Sequence, residues 1–443
     1  MQLSITYKQI LKVALPLMLG TFIQSIVMIT DASFLSRYST ISFDASGNAG
    51  LIYVTLFMGL TGLGDAAQII MARRIGQAKV KALNATFQSA LFVITCFAMV
   101  FFLFIQFNIG DLLMDFSKNK ILAQEQIDFL SIRSYGFFVG ILMLTLNSFF
   151  MATGKTWVIM VSTAFFAASN IILDYLLIFG FWNIEPLGVE GAALASVISE
   201  GLTTVVLLIF LFTSKERHIY GIFSKFQVTL LSLRNLFQVG LPLLIQGFFA
   251  LATWTVFFIW IEQMSTYDLT VSQNIRAIYF LAFVPIFGFG ATTKTYIAQY
   301  MDHKETYIIP KIIRRIQFLT LIFLLAIFHG ALLYPETLIS IINPEEAYIK
   351  DSAYILRLVF GSIIIFGVCT PYFQAINGSG NTRITLLIEI IAMIGYILYA
   401  YFTIKVWEWS ISAIWTVEYL YFITLGGLSI LYLSIFNWRK KEY

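Results

Sequence analysis

The chain has 443 residues, 59% hydrophobic and 12% charged, with 43 phenylalanines and a formal net charge of +4. Soluble domains carry roughly 25% charged residues, and charge this sparse could not cover the cores that so much apolar side chain would build. A mean hydropathy of +0.84 therefore excludes a soluble enzyme, and the small, dispersed net charge excludes a nucleic-acid binder.

A spanning helix needs about 20 mostly apolar residues for a hydrocarbon core roughly 30 Å thick. In chain order, twelve segments meet this need: 11–35, 50–72, 86–107, 129–151, 157–180, 188–213, 237–261, 274–298, 316–334, 354–376, 384–404 and 411–436, spans 1 to 12. They are too long and too little alternated for barrel strands, so an all-α bundle of twelve transmembrane helices is expected. Met1–Lys12 is polar and the apolar stretch behind it runs on too long for a cleavable signal. Cys96 and Cys369 fall inside apolar spans, where buried free thiols are expected rather than a disulfide or a metal site. The stretch 214–236, with Lys215, Arg217, Lys225 and Arg234, divides an N-lobe (1–213, spans 1–6) from a C-lobe (237–443, spans 7–12) as a cytoplasmic linker. Counted by side of the membrane, 19 Lys and Arg stand against 8, the minority being Arg37, Lys118, Lys120, Arg133, Arg276, Lys350, Arg357 and Lys405. Both termini are then expected in the cytoplasm.

The two halves repeat. Leu15-Pro16-Leu17 recurs as Leu241-Pro242-Leu243, and the same offset of 226 maps Ile52-Tyr53 onto Ile278-Tyr279, Gly62-Leu63-Gly64 onto Gly288-Phe289-Gly290, and Gly154-Lys155-Thr156 onto Gly380-Asn381-Thr382. Six spans restore the starting side, so the halves are parallel repeats, the pattern of a duplicated transporter bundle.

Function should lie where the copies differ. Asp31 in span 1 maps to Phe257, and Asn170 and Asp174 in span 5 map to Tyr396 and Ala400; Ser196 in span 6 maps to Thr416 once the shorter connection is allowed for. An ionisable group inside a membrane costs about 2.5–3.5 kcal/mol on insertion scales, so carboxylates kept in one copy alone need a purpose. At about 1.5 Å per residue, Asp31, Asp174 and Ser196 reach levels that could meet in the outer part of the membrane. Asn170 and Asp174 share a helical face, as do Gln24 and Asp31. The expected outcome is an oxygen-rich pocket in a six-helix lobe for a proton or a hard cation, with Na+ held at Asp31, Asn170 and Asp174. Glu200, Asn147, Glu262 and Glu418 are cavity or relay candidates, and Pro16 and Pro242 should bend their helices. Gly136 and Gly140 form a G-x-x-x-G pair, read as close packing.

These residues resemble the multidrug and toxic compound extrusion (MATE) transporters. The carriers are "LPLMLGTFIQSIVMITDASFLSR", "NIILDYLLIFG", "PLGVEGAALASVISE", "GFGATTKTYIAQY" and "NGSGNTR". The resemblance spans nearly the whole chain and implies a two-lobed exporter in which inward flow of H+ or Na+ drives an organic, amphipathic cationic compound outward by alternating access. It is similar to the DinF-like branch, whose coupling carboxylates sit in the N-lobe. Asp31, Asn170, Asp174 and Gln24 match that pattern, and Ser196 keeps the hydroxyl where many members have Thr. Another branch uses acidic residues in helices 7 and 10; near Ala250 and Pro371 this chain has none. In some members protonation of the first-helix Asp is linked to bending at the first-helix proline, here Pro16. The resemblance also implies a monomer in the bacterial inner membrane, in contact with lipid, with no cofactor beyond the coupling ion.

A lipid or lipid-linked saccharide flippase is the alternative, although few Lys or Arg fall at mid-membrane to hold a pyrophosphate. A membrane-embedded transferase would leave the repeat unexplained, and no re-entrant filter suggests a channel. His218, His303 and His329 are scattered without zinc-site spacing. No phosphate-cradling G-x-x-x-x-G-K-[ST] occurs, so ATP-driven transport by this chain is excluded.

Overall fold

In a computed structural model the described residues are 3–116, 120–182, 185–262, 264–301, 306–342, 345–436 and 438. They form α1 (Tyr7–Tyr38), α2 (Thr40–Gly76), α3 (Val80–Phe104), α4 (Gly110–Phe116), α5 (Lys120–Arg133), α6 (Gly136–Ala152), α7 (Thr156–Ile178), α8 (Gly188–Thr213) and α9 (Lys215–Tyr220). The second half contributes α10 (Leu230–Glu262), α11 (Thr266–Gln299), α12 (Ile309–Phe328), α13 (Gly330–Leu333), α14 (Pro335–Ile342), α15 (Glu346–Gly378), α16 (Thr382–Tyr401), α17 (Ile411–Ile414) and α18 (Val417–Ile435). Lys118, Lys304 and Arg439–Lys441, counted above in the loop charge, lie outside the described residues.

Among the described residues, ten helices are each long and apolar enough to cross a membrane. Span 4 is a broken one: α5 and α6 qualify together, bent by 47° across Ser134 and Tyr135. Span 9 corresponds to α12, whose first turns carry Lys311, Arg314 and Arg315; it is not among those ten. Its helix breaks at His329 rather than running to 334. Cys96 is exposed on α3, against the expectation of a buried thiol, while Cys369 is buried.

The chain forms two compact units. The first is Leu19–Leu244; the second joins Met1–Met18 to Ile245–Tyr443. Both boundaries fall two residues beyond an intrahelical proline, Pro16 in α1 and Pro242 in α10, and they keep the offset of 226 found in the sequence. Hence the start of α1 is packed in the second unit and the start of α10 in the first. The N-terminus is tied down by a donation from Leu3 N–H to Gln299 Oε1 at 3.0 Å, by Tyr300 Oη to Leu3 O at 2.7 Å, and by Tyr296 Oη to Ser4 O at 2.9 Å.

The glycines matched by the repeat explain these seats. A Cβ on Gly62 in α2 would lie 2.6 Å from the backbone of Leu243 and Leu244, and one on Gly288 in α11 would lie 2.4 Å from Met18 Cγ. Each unit thus receives its borrowed helix start against a glycine. In the first unit α7 and α8 make the closest pair: a Cβ on Gly191 would meet Leu177 O at 2.6 Å, and Leu187 N–H donates to Leu177 O across the turn. The second unit is cored by aromatic rings, with Phe257, Tyr396 and Trp415 meeting edge to face.

Candidate functional site

Asp31 lies in the half of α1 that belongs to the first unit, and Asn170 and Asp174 stand one turn apart on α7. Both α7 residues are wholly buried, at 0% exposure. The carboxyls of Asp31 and Asp174 interact side chain to side chain. Asp31 Oδ1, both oxygens of Asp174 and both polar atoms of Asn170 are nonetheless buried without a partner of ordinary hydrogen-bonding geometry. A buried polar atom left unpaired costs about 1–3 kcal/mol, more for a charged group. Four of these five atoms are acceptor oxygens, a set whose chemistry suits a proton or a small cation.

A second charged layer lies beside it. Arg133 Nη1 donates to Glu200 Oε2 at 2.9 Å and Nη2 to Oε1 at 2.5 Å, with 12% and 8% of the two side chains exposed. The guanidinium lies 3.9 Å over the Tyr53 ring, an added cation–π contact, and it acts electrostatically on Asp31. Gly136 allows this closure: a Cβ there would lie 2.2 Å from Arg133 Nη1, 2.7 Å from Tyr53 Oη and 2.9 Å from Glu200 Oε2. Its partner Gly140 makes room for the Phe57 ring, so the G-x-x-x-G pair seats the aromatic face of α2 as well as packing helices.

The remaining expected residues are placed as follows. Gln24 is exposed on α1 and Ser196 is half-buried on α8. Asn147 Oδ1, on α6, is buried without a hydrogen-bond partner. Glu200 is engaged by Arg133. Glu418 is buried in the second unit, accepting from Tyr279 Oη at 2.8 Å and Tyr396 Oη at 3.0 Å. Glu262 ends α10, and its side chain lies outside the described residues.

Three further largely buried polar side chains stand out in the structure. Arg133 enters the sequence pattern only through the charge count by side of the membrane, and its side chain is largely buried in the first unit at the α5–α6 break. Tyr53 was visible only as half of a repeat match. Glu389 on α16, 3% exposed, is a carboxylate within the apolar run "ITLLIEIIAMIGY"; the insertion-cost argument that singled out Asp31 applies equally to it.

Comparison with known proteins follows the same repeat. A family profile described as MatE matches the chain twice, over residues 16–176 and 242–402, two copies again 226 residues apart. A probable multidrug resistance protein NorM of Thermotoga maritima is 23% identical over 98% of this chain and 93% of its own length. Another of that description, from Bacillus cereus, is 24% identical over 82% of this chain and 81% of its own. Among solved structures, an outward-facing multidrug resistance MATE family transporter of the MOP superfamily matches with a TM-score of 0.84 at 18% identity, covering 96% of this chain and 94% of that one. A mutant of the Vibrio cholerae MATE transporter VcmN matches at 0.85 and 18%, covering 98% of each.

Proposed function

This chain belongs to the MatE family and is a multidrug efflux transporter, and from that premise we propose that it is a cation-coupled antiporter whose coupling ion binds at Asp31 and Asp174. The carrying observation is the meeting of these two carboxyls from α1 and α7, with Asn170 beside them, amid five unpaired buried polar atoms. The ion is H+ or Na+. Asn170 supplies a neutral oxygen, and Ser196 and Gln24 complete the set when the site is filled.

The chemistry follows from charge. With the site empty, two carboxyls face each other in a low-dielectric interior, and Arg133, already spent on Glu200, offsets only part of their charge. A bound cation removes that repulsion. The occupied and empty forms then favour different conformations, and the exported compound binds them unequally, which is all that coupling requires. Pro16 and Pro242, each removing one backbone hydrogen bond at a unit boundary, are the helix positions at which such a change bends the chain.

The compounds exported are small, amphipathic and cationic, and transport is by alternating access. The repeat copies act as an N-lobe (1–213) and a C-lobe (237–443) joined by a linker (214–236). The protein works as a monomer in the bacterial inner membrane, with both termini cytoplasmic as the Lys and Arg asymmetry favours.

Asp31→Asn and Asp174→Asn test the reading in drug-sensitive cells. Each should abolish resistance while the protein accumulates normally in the membrane; unchanged resistance at normal abundance contradicts it.

A further inference from the structure

The second unit holds a buried carboxylate of its own, and the repeat shows what it lacks. In the first unit Tyr53 lies against a carboxylate, Glu200, whose charge is matched by Arg133. In the second unit Tyr279, the repeat match of Tyr53, again touches a carboxylate, Glu418, but the position matching Arg133 is Val359. Glu418 is 3% exposed, and among the described residues no Lys, Arg or His forms an ion pair with it.

In this arrangement its neighbours act as donors. Tyr279 Oη donates to Oε2 at 2.8 Å and Tyr396 Oη to Oε1 at 3.0 Å, and the Trp254 indole N–H is directed at the same carboxyl. The titratable groups around it are Tyr279 on α11, Tyr396 on α16 and Tyr421 on α18, with Glu389 beyond Tyr421. From α15 the nearest polar group is Ser362, beside the Tyr279 hydroxyl, and Arg276 of α11 lies over the Phe258 ring instead.

We propose that Glu418 is a second proton-binding residue of the transport cycle, lodged in the unit that lacks the aspartate pair. An oxygen-seeking metal ion needs acceptors, and this shell offers donors; a proton needs only the carboxylate itself. The exchange balances within the unit. A proton adds to one Glu418 oxygen, and the tyrosine hydroxyl that had donated to that oxygen turns away and accepts from the new O–H. Tyr279 has Ser362 at hand as its other partner. On release the proton leaves, and the hydroxyl donates to the carboxylate again. The residue lies on α18 and differs from any acid on helices 7 and 10.

The test is pH-difference infrared spectroscopy of the full-length protein in lipid nanodiscs. A protonated-carboxyl C=O band that rises on acidification should be lost in Glu418→Gln and shifted in Glu418→Asp, yet survive in Asp31→Asn and Glu389→Gln. Tyr279→Phe and Tyr396→Phe, which remove a donor to the anion and an acceptor from the protonated acid, should shift that band in frequency. A spectrum unchanged by Glu418→Gln overturns the proposal. If Glu418→Gln does not fold, a band unmoved by Glu418→Asp and by both tyrosine variants overturns it equally. Loss of the band in Asp31→Asn, with Glu418→Gln intact, would assign the proton to the first unit only and also overturn it.

Discussion

Arg133 and Glu200 form a two-pronged ion pair inside the first unit, at 2.9 and 2.5 Å, on residues that flank the α5–α6 break and the middle of α8. Removing one member of a buried pair leaves the other charge without a partner and costs about 3–5 kcal/mol, whereas replacing both by apolar groups is often neutral. Glu200→Leu and Arg133→Leu should each lower the thermal midpoint in detergent strongly, and the double variant should recover most of the loss. Additive losses in that cycle would contradict the pairing.

The same arrangement makes Gly136 sensitive. Gly136→Ala drives a methyl into Arg133, Tyr53 and Glu200, and overpacking of this kind costs about 1–3 kcal/mol. Gly201→Ala, one residue from Glu200, meets nothing within 4 Å and serves as the control. Thermal unfolding should separate the two; equal midpoints would refute the close approach.

Gly62 and Gly288 are repeat partners with unequal neighbours. A methyl at 62 strikes backbone at 2.6 Å, while one at 288 strikes the Met18 side chain, which can swing aside. Gly62→Ala should therefore reduce folded yield several-fold more than Gly288→Ala, as read by size-exclusion chromatography of solubilised membranes. The reverse order would contradict the seating of α10 on α2.

The segment after α9 is held by two side chains of α3. Asn84 Nδ2 and Gln88 Nε2 both donate to Lys225 O, at 2.9 and 2.8 Å, and the two side-chain oxygens accept from Phe223 and Gln227 N–H. Substituting both by Ala should speed tryptic cleavage at Lys225 by an order of magnitude or so, since local opening governs such cleavage. An unchanged rate would show that the segment is held elsewhere.

The fold was legible because membrane insertion writes it in long apolar runs, and because duplication left Pro16 and Pro242, and Gly62 and Gly288, in register. The break in span 4 was not legible, since "SIRSYGFF" contains no proline. The role of Arg133 was hidden for a related reason: a cation near a helix end counts only toward the side of the membrane, and its partner Glu200 stands 67 residues away in the chain. Asp31 and Asp174 stood out because their repeat partners are Phe257 and Ala400. Glu418 and Glu389 were harder to read because their partners, the tyrosine hydroxyls, look in sequence like ordinary aromatic packing.

The central claim is tested most directly by efflux of a fluorescent cationic drug from proteoliposomes on which pH and Na+ gradients are imposed one at a time, for the native chain and for Asp31→Asn and Asp174→Asn. The account expects efflux from the native chain to follow at least one gradient and to be lost in both variants. Efflux indifferent to both gradients, or gradient-driven efflux retained in Asp31→Asn, would contradict it.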